Sequence, residues 1–164
     1  MMMAMTVDGK IAKSSDHFTD WTSTEDKKLF IEISKQCGVV IMGKKTFATF
    51  PSPLKDRLNV VFTSEKNQQE IAGVKWVSGE PEQILVELKK MGYTSALLGG
   101  GASLNTMFLE KKLINEIILT IEPKIFGVGI DLFNKDFNIN LQLLEVKKIN
   151  NNAIILKYKV RYGK

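Results

Sequence analysis

The sequence predicts an α/β chain: a mostly parallel sheet of about eight strands with helices on both faces, closed by a C-terminal antiparallel hairpin. Three observations carry this. Short apolar runs alternate with stretches of helical period. Two of those runs pass through glycine directly into a helix start. After Phe133 the pattern changes to two longer strands. With 164 residues the chain fits one domain, one sheet and one active site.

Strands are expected at residues 1–7, 39–42, 58–63, 74–77, 96–98 and 117–121, several of them apolar on both faces as a covered sheet requires. Helices are expected at 24–36, 45–50, 81–91 and 103–111. The last two strands, 141–149 and 153–162, are joined at Asn150-Asn151-Asn152, where asparagine tolerates the backbone of a tight turn. In the second of them Lys157, Lys159 and Arg161 alternate with Tyr158, Val160 and Tyr162, the pattern of a half-buried strand with a solvated side rather than of a nucleic-acid surface.

Composition narrows the function classes. Apolar residues make up 44% and charged ones 25%, a water-soluble globular balance, and no apolar run approaches the roughly 20 residues of a membrane helix. The single Cys37 and single His17 leave neither an internal disulfide nor zinc-ligand spacing, so a cytoplasmic chain without metal, nucleic acid or membrane partner is expected. Cys37 reads as core, and His17, in the 14–20 loop, as solvated. The net charge of +5 is scattered along the chain, which favours anionic partners without naming one.

The chemistry gathers at strand ends. Leu97-Leu98-Gly99-Gly100-Gly101-Ala102-Ser103-Leu104 runs from strand through three glycines into a helix, where backbone amides can approach a pyrophosphate; the plainer reading is a tight turn. The second junction, Met42-Gly43-Lys44-Lys45-Thr46, sets two lysines against the helix dipole, an arrangement an anion explains better than structure does. Thr63 and Ser64 close the next strand with hydroxyls, and Glu65 beside them is an objection. A dinucleotide with a pyrophosphate and a distant 2′-phosphate uses both junctions, so NADPH is the expected cofactor.

Between the junctions stands a carboxylate. Thr22 and Glu25 have capping-box spacing, and Asp26 shares a helix face with Leu29, Phe30, Ile33 and Cys37. An acid there has a raised pKa and can hold a cationic or amidine-like heterocycle or relay a proton, whereas first-turn acids also serve the helix dipole alone. Trp21, Phe30, Phe47 and Phe50 lie near it in sequence, and Arg57 follows the Pro51-Ser52-Pro53 loop, either as solvated surface or as a clamp for an anionic tail.

Trp21, Asp26 and Phe30, the run from Val40 to Phe47, the run from Pro53 to Val61, the three glycines and Leu119-Thr120 together resemble dihydrofolate reductase in order and spacing. The resemblance implies a dihydrofolate reductase-like three-layer fold and a hydride transfer from NADPH to a small heterocycle. It also implies that Asp26 binds and protonates the ring with Thr120 behind it, that Arg57 takes an anionic tail, and that Trp21, Phe30 and Phe50 wall the pocket. Gly43 to Thr46, Thr63, Ser64 and Gly100 to Leu104 would hold NADPH, with Ala4 and Ile11 beside its nicotinamide and a cis bond at Gly99-Gly100. Other segments, Ala4 to Ala12 and Leu113 to Gly127, resemble the reductase domain of the riboflavin-biosynthesis deaminase-reductase, which reduces a ribosylaminopyrimidine phosphate and often pairs as a homodimer. The sequence mixes both patterns: it lacks the proline usual before Trp21 in the first family and the Arg-rich helix of the second. A nonenzymatic NADPH-binding regulatory module is the alternative reading.

Overall fold

The computed structural model describes residues 1–163. Ten strands and four helices follow in the order β1 Met2–Thr6, β2 Lys10–Ala12, α1 Thr24–Cys37, β3 Val39–Gly43, α2 Lys44–Phe47, β4 Leu58–Phe62, β5 Val74–Val77, α3 Pro81–Lys90, β6 Leu97–Leu98, α4 Ala102–Glu110, β7 Glu116–Glu122, β8 Ile130–Asp131, β9 Asn140–Lys148 and β10 Ile154–Arg161, with one 3-10 turn at Thr19–Trp21.

The α/β class stands, but the single sheet of about eight strands does not. The strands form a parallel sheet in the order β5-β4-β3-β6, a mixed sheet in the order β1-β7-β10-β9, and a two-stranded ribbon of β2 with β8. The sheet divides where β6 has only two residues, Leu97 and Leu98, before the glycines turn the chain away. At that division the sheets abut tightly: Gly100 adopts φ +90°, and a Cβ there would meet the Met3 thioether at 2.8 Å. The cis bond lies at Gly100-Gly101, one residue later than expected. The β2–β8 ribbon escaped prediction because three and two residues are too short to show a period.

Val39, Val40, Ile41 and Met42 of β3 and Val60 and Val61 of β4 are at most 1% exposed, which is why those strands read as continuous apolar runs. Two helix starts shift. Ser23, not Thr22, caps α1: its Oγ accepts the Asp26 N–H at 3.3 Å. Helix α2 begins at Lys44 and ends at Phe47, beyond which i→i+3 turns continue to Phe50 before Pro51 halts them. The hairpin forms as expected, with the Asn150 side chain accepting the Asn152 and Ala153 amides. Among the described residues no helix is long and apolar enough to cross a membrane.

Candidate active site

A cleft of about 1050 Å³ opens at the carboxyl ends of β3, β4, β5 and β6 and runs over α1 to the β1–β2 region. Ligand crevices lie at strand ends because the helices that follow direct unpaired amides there. One end is polar. Gly43, Lys44, Lys45 and Thr46 line it beside Thr63 and Ser64, and Gly101 to Leu104 face them. No side chain caps α2 or α4, so the first amides of α4 are left to the cleft. The junctions are braced together: the Gly43 N–H donates to the Gly100 carbonyl at 2.8 Å, and a Cβ on Gly101 would reach 3.4 Å from Thr46 Oγ1. Gly100 itself is buried beneath the floor rather than lining it. Glu65, which stood as an objection in the sequence, forms an ion pair with Lys44 at this end.

The other end is apolar around one acid. Phe30 and Phe50 stack with ring centroids 6.2 Å apart, and Trp21, Leu54 and Ile31 complete the wall. Asp26 is 7% exposed and lines the cleft. Burial raises its pKa above the usual carboxylate range; Thr120 offsets part of the rise, and the Glu122 carboxylate adds to it. Thr120 approaches the carboxyl but not in hydrogen-bonding geometry: Thr120 Oγ1, Asp26 Oδ1 and Trp21 Nε1 are all buried without a partner among the described residues. Asp26 and Trp21 line the cleft while Thr120 lies buried behind them, and two such unpaired atoms at one pocket end suit a ligand with its own donors and acceptors, since an unpaired buried polar group is costly.

Ala4 and Ile11 line the middle of the cleft, between the acid and the glycine junction. Arg57 stands apart from it. Its Nε donates to the Lys55 carbonyl, and its Nη1 donates to the Ile31 carbonyl and to Oγ of the buried Ser34, so the guanidinium is tied to α1.

Several contributors escaped the sequence. His17 is half-buried in the cleft wall, stacked on Trp21 at 6.5 Å and edge-on to Phe126 at 5.4 Å, and its Nδ1 accepts the Lys13 N–H; it is packed rather than solvated. Phe126 is held there by Asp8, which accepts the Phe126 and Gly127 amides. Ser78 and Gly79 line the polar end after β5, and Lys27 lines the acid end. Only the strand-end position of Ser78 and Gly79 gave any sequence signal.

A family model described as the RibD C-terminal domain matches residues 1–155. The uncharacterized protein YwjB of Bacillus subtilis strain 168 is 26% identical over 166 residues, covering 96% of this chain and 95% of YwjB. Among solved structures, a Thermotoga maritima protein described as a diaminohydroxyphosphoribosylaminopyrimidine deaminase/5-amino-6-(5-phosphoribosylamino)uracil reductase aligns with a TM-score of 0.77 at 18% identity. The alignment covers 98% of this chain and 55% of that longer one. Dihydrofolate reductase from Enterococcus faecalis, complexed with NADP(H) and RAB-propyl, aligns with a TM-score of 0.73 at 21% identity, covering 98% and 95%. At these identities the structural likenesses show a shared fold.

Proposed function

Because the chain belongs to the RibD C-terminal domain family, we propose that it is an NADPH-dependent reductase delivering hydride to a small nitrogen heterocycle, a pteridine or a 5-amino-6-(5-phosphoribosylamino)uracil-like pyrimidine. The observation that carries the reading is the buried Asp26 carboxyl, with an unpartnered oxygen, at the apolar end of a cleft whose other end is built from two uncapped helix starts.

The residues fit the cofactor. Amides at Ala102 and Ser103, with hydroxyls of Thr46, Thr63 and Ser64, suit phosphate oxygens, and Lys44 and Lys45 suit the 2′-phosphate. Bound NADPH would supply the hydride; the protein supplies geometry and electrostatics. Ala4 and Ile11 would leave a small apolar floor for the nicotinamide, and Phe30, Phe50 and Trp21 would stack the acceptor and exclude water. Asp26 would hold a proton for the ring nitrogen beside the reduced carbon, Thr120 would steady the carboxyl, and Trp21 Nε1 would donate to a ring acceptor. Arg57 would take an anionic tail through its remaining guanidinium donors.

The reading takes the cytosol as compartment and a homodimer as assembly. The exposed β9 edge, with Leu141, Leu143 and Val146 on the face shared by Val160, Tyr158 and Leu156, supports the second point.

NADPH oxidation followed by absorbance, with dihydrofolate and the ribosylaminopyrimidine phosphate as acceptors and NADH as control, tests the reading. Turnover of either acceptor is expected and names the substrate class. NADPH binding without turnover of either would leave the cofactor site and remove both substrates.

A further inference from the structure

Helix α1 opens with an arrangement that would ordinarily disable its acid. Ser23 is the N-cap and Asp26 the third helical residue, the position from which a glutamate or glutamine reaches back to the N-cap backbone N–H to close a capping box, and toward which the shorter Asp26 carboxyl could turn. Asp26 does not. The Ser23 N–H donates instead to Glu122 Oε1 at 2.7 Å, a bond spanning 99 residues of chain from the end of β7. Glu122 is 3% exposed, beside the wholly buried Thr6 to which it is paired in the β1–β7 ladder. The partner that a local acid would take is thus already satisfied, and Asp26 Oδ1 is left without one at the cleft.

We propose that Glu122 is a positioning residue for Asp26: by accepting the Ser23 N–H it holds the start of α1 and frees the Asp26 carboxyl to face the cleft. The inference rests on the reading of Asp26 as the acid of the reductase site. Glu122 also places a second negative charge near Asp26; the other charge acting on that carboxyl is the Lys27 ammonium from α1 itself, which opposes it. Both effects of Glu122 favour the protonated form of Asp26, the geometric one by denying the carboxylate a hydrogen-bond donor and the electrostatic one by like-charge repulsion. Nothing in the local sequence around Asp26 announces this, because the partner arrives from the far end of the chain.

The test reads the Asp26 carboxyl directly in the resting protein, by carbon NMR titration of aspartate labelled at Cγ, assigned by its loss in Asp26→Asn. In Glu122→Ala the carboxyl is expected to turn back onto the Ser23 N–H, so its titration moves to lower pH while the Ser23 amide stays protected from hydrogen exchange. In Glu122→Gln the amide oxygen still accepts from Ser23 and only the charge is lost, so the shift is in the same direction and smaller. KM for the heterocycle rises in the alanine variant and is rescued by glutamine. A folded alanine variant whose Asp26 titrates as in the parent protein overturns the proposal. Should alanine not fold, glutamine alone must show the shift; failure of both to fold makes Glu122 a purely structural residue and overturns it equally. Shifts as expected in a protein that reduces no heterocycle would leave Glu122 positioning Asp26 and remove the catalytic assignment of Asp26 instead.

Discussion

If the cleft takes NADPH as proposed, Glu65 would set the terms at which its 2′-phosphate meets the protein. Its carboxylate pairs with Lys44 at the polar end of the cleft, and both groups are substantially exposed. A 2′-phosphate must compete with Glu65 for that ammonium, whereas a ribose 2′-hydroxyl has no quarrel with a carboxylate. Exposed pairs of this kind are worth little, so the effect is modest: Glu65→Gln should raise the preference for NADP+ over NAD+ about five-fold, measured by calorimetric titration at low salt. An unchanged ratio would mean that Lys44 does not contact the phosphate. Glu65 was legible in the sequence because it follows Thr63-Ser64 directly. Asp26 was legible too, since helical period alone set it on the apolar face with Phe30 and Ile33. Glu122 was not, because a carboxylate at a strand end among Ile117, Leu119 and Ile121 carries no local mark of the Ser23 amide it serves. His17 was misread for a related reason: its aromatic partners Trp21 and Phe126 lie on separate segments, and only the Asp8 contacts bring Phe126 in.

At the scale of elements, the strand-to-helix junctions were the most readable part of the chain, because glycine, hydroxyl and lysine at a strand end have few other uses together. The glycine run was read as a close approach to a pyrophosphate, whereas the close approach the structure shows is to Met3, and its cis bond was set one residue early, since three identical residues offer no way to choose. Gly100 is the one of the three whose Cβ would strike Met3. Element lengths were less legible. Two-residue β6 and β8 leave no period to read, and their shortness divides what looked like one sheet into two. The longest strand poses the opposite problem. All nine residues of β9 are exposed, it pairs on one side only with β10, and Leu143 and Val146 remain 51% and 58% exposed. An edge of this length with exposed apolar side chains invites pairing with a second copy of the chain. Sedimentation velocity should therefore show a dimer that Leu143→Lys converts to a monomer with little loss of thermal stability. A monomeric parent protein would remove the dimer from the account.

For the molecule as a whole, the arrangement is one of division of labour between two sheets. The parallel sheet supplies the glycine-bearing strand ends, the mixed sheet supplies Ala4, Thr120 and Glu122, and α1, packed on β3 and β6 and tied at its N-cap to Glu122, carries Asp26. The cleft follows the seam where the sheets abut at Met3 and Gly100. Membership of the RibD C-terminal domain family and the alignment with dihydrofolate reductase over 98% of the chain agree with that architecture, and a fold shared by both accounts for the mixed resemblance in the sequence. The central claim is that the buried acid at the seam serves hydride transfer. Its pKa is raised, so it keeps its proton to higher pH than an exposed aspartate, and a step that needs this proton must slow as pH rises through that raised value.

The most direct test is the pH dependence of kcat for NADPH oxidation, with whichever heterocycle turns over, in the parent protein and in Asp26→Asn. The rate should fall on the alkaline side in the parent, and in the variant a loss of about 10²- to 10⁴-fold is expected with that pH dependence abolished and NADPH affinity retained. A variant that turns over at the parent rate, or keeps the same alkaline limb, would contradict the assignment of Asp26 as the proton-bearing group of this site.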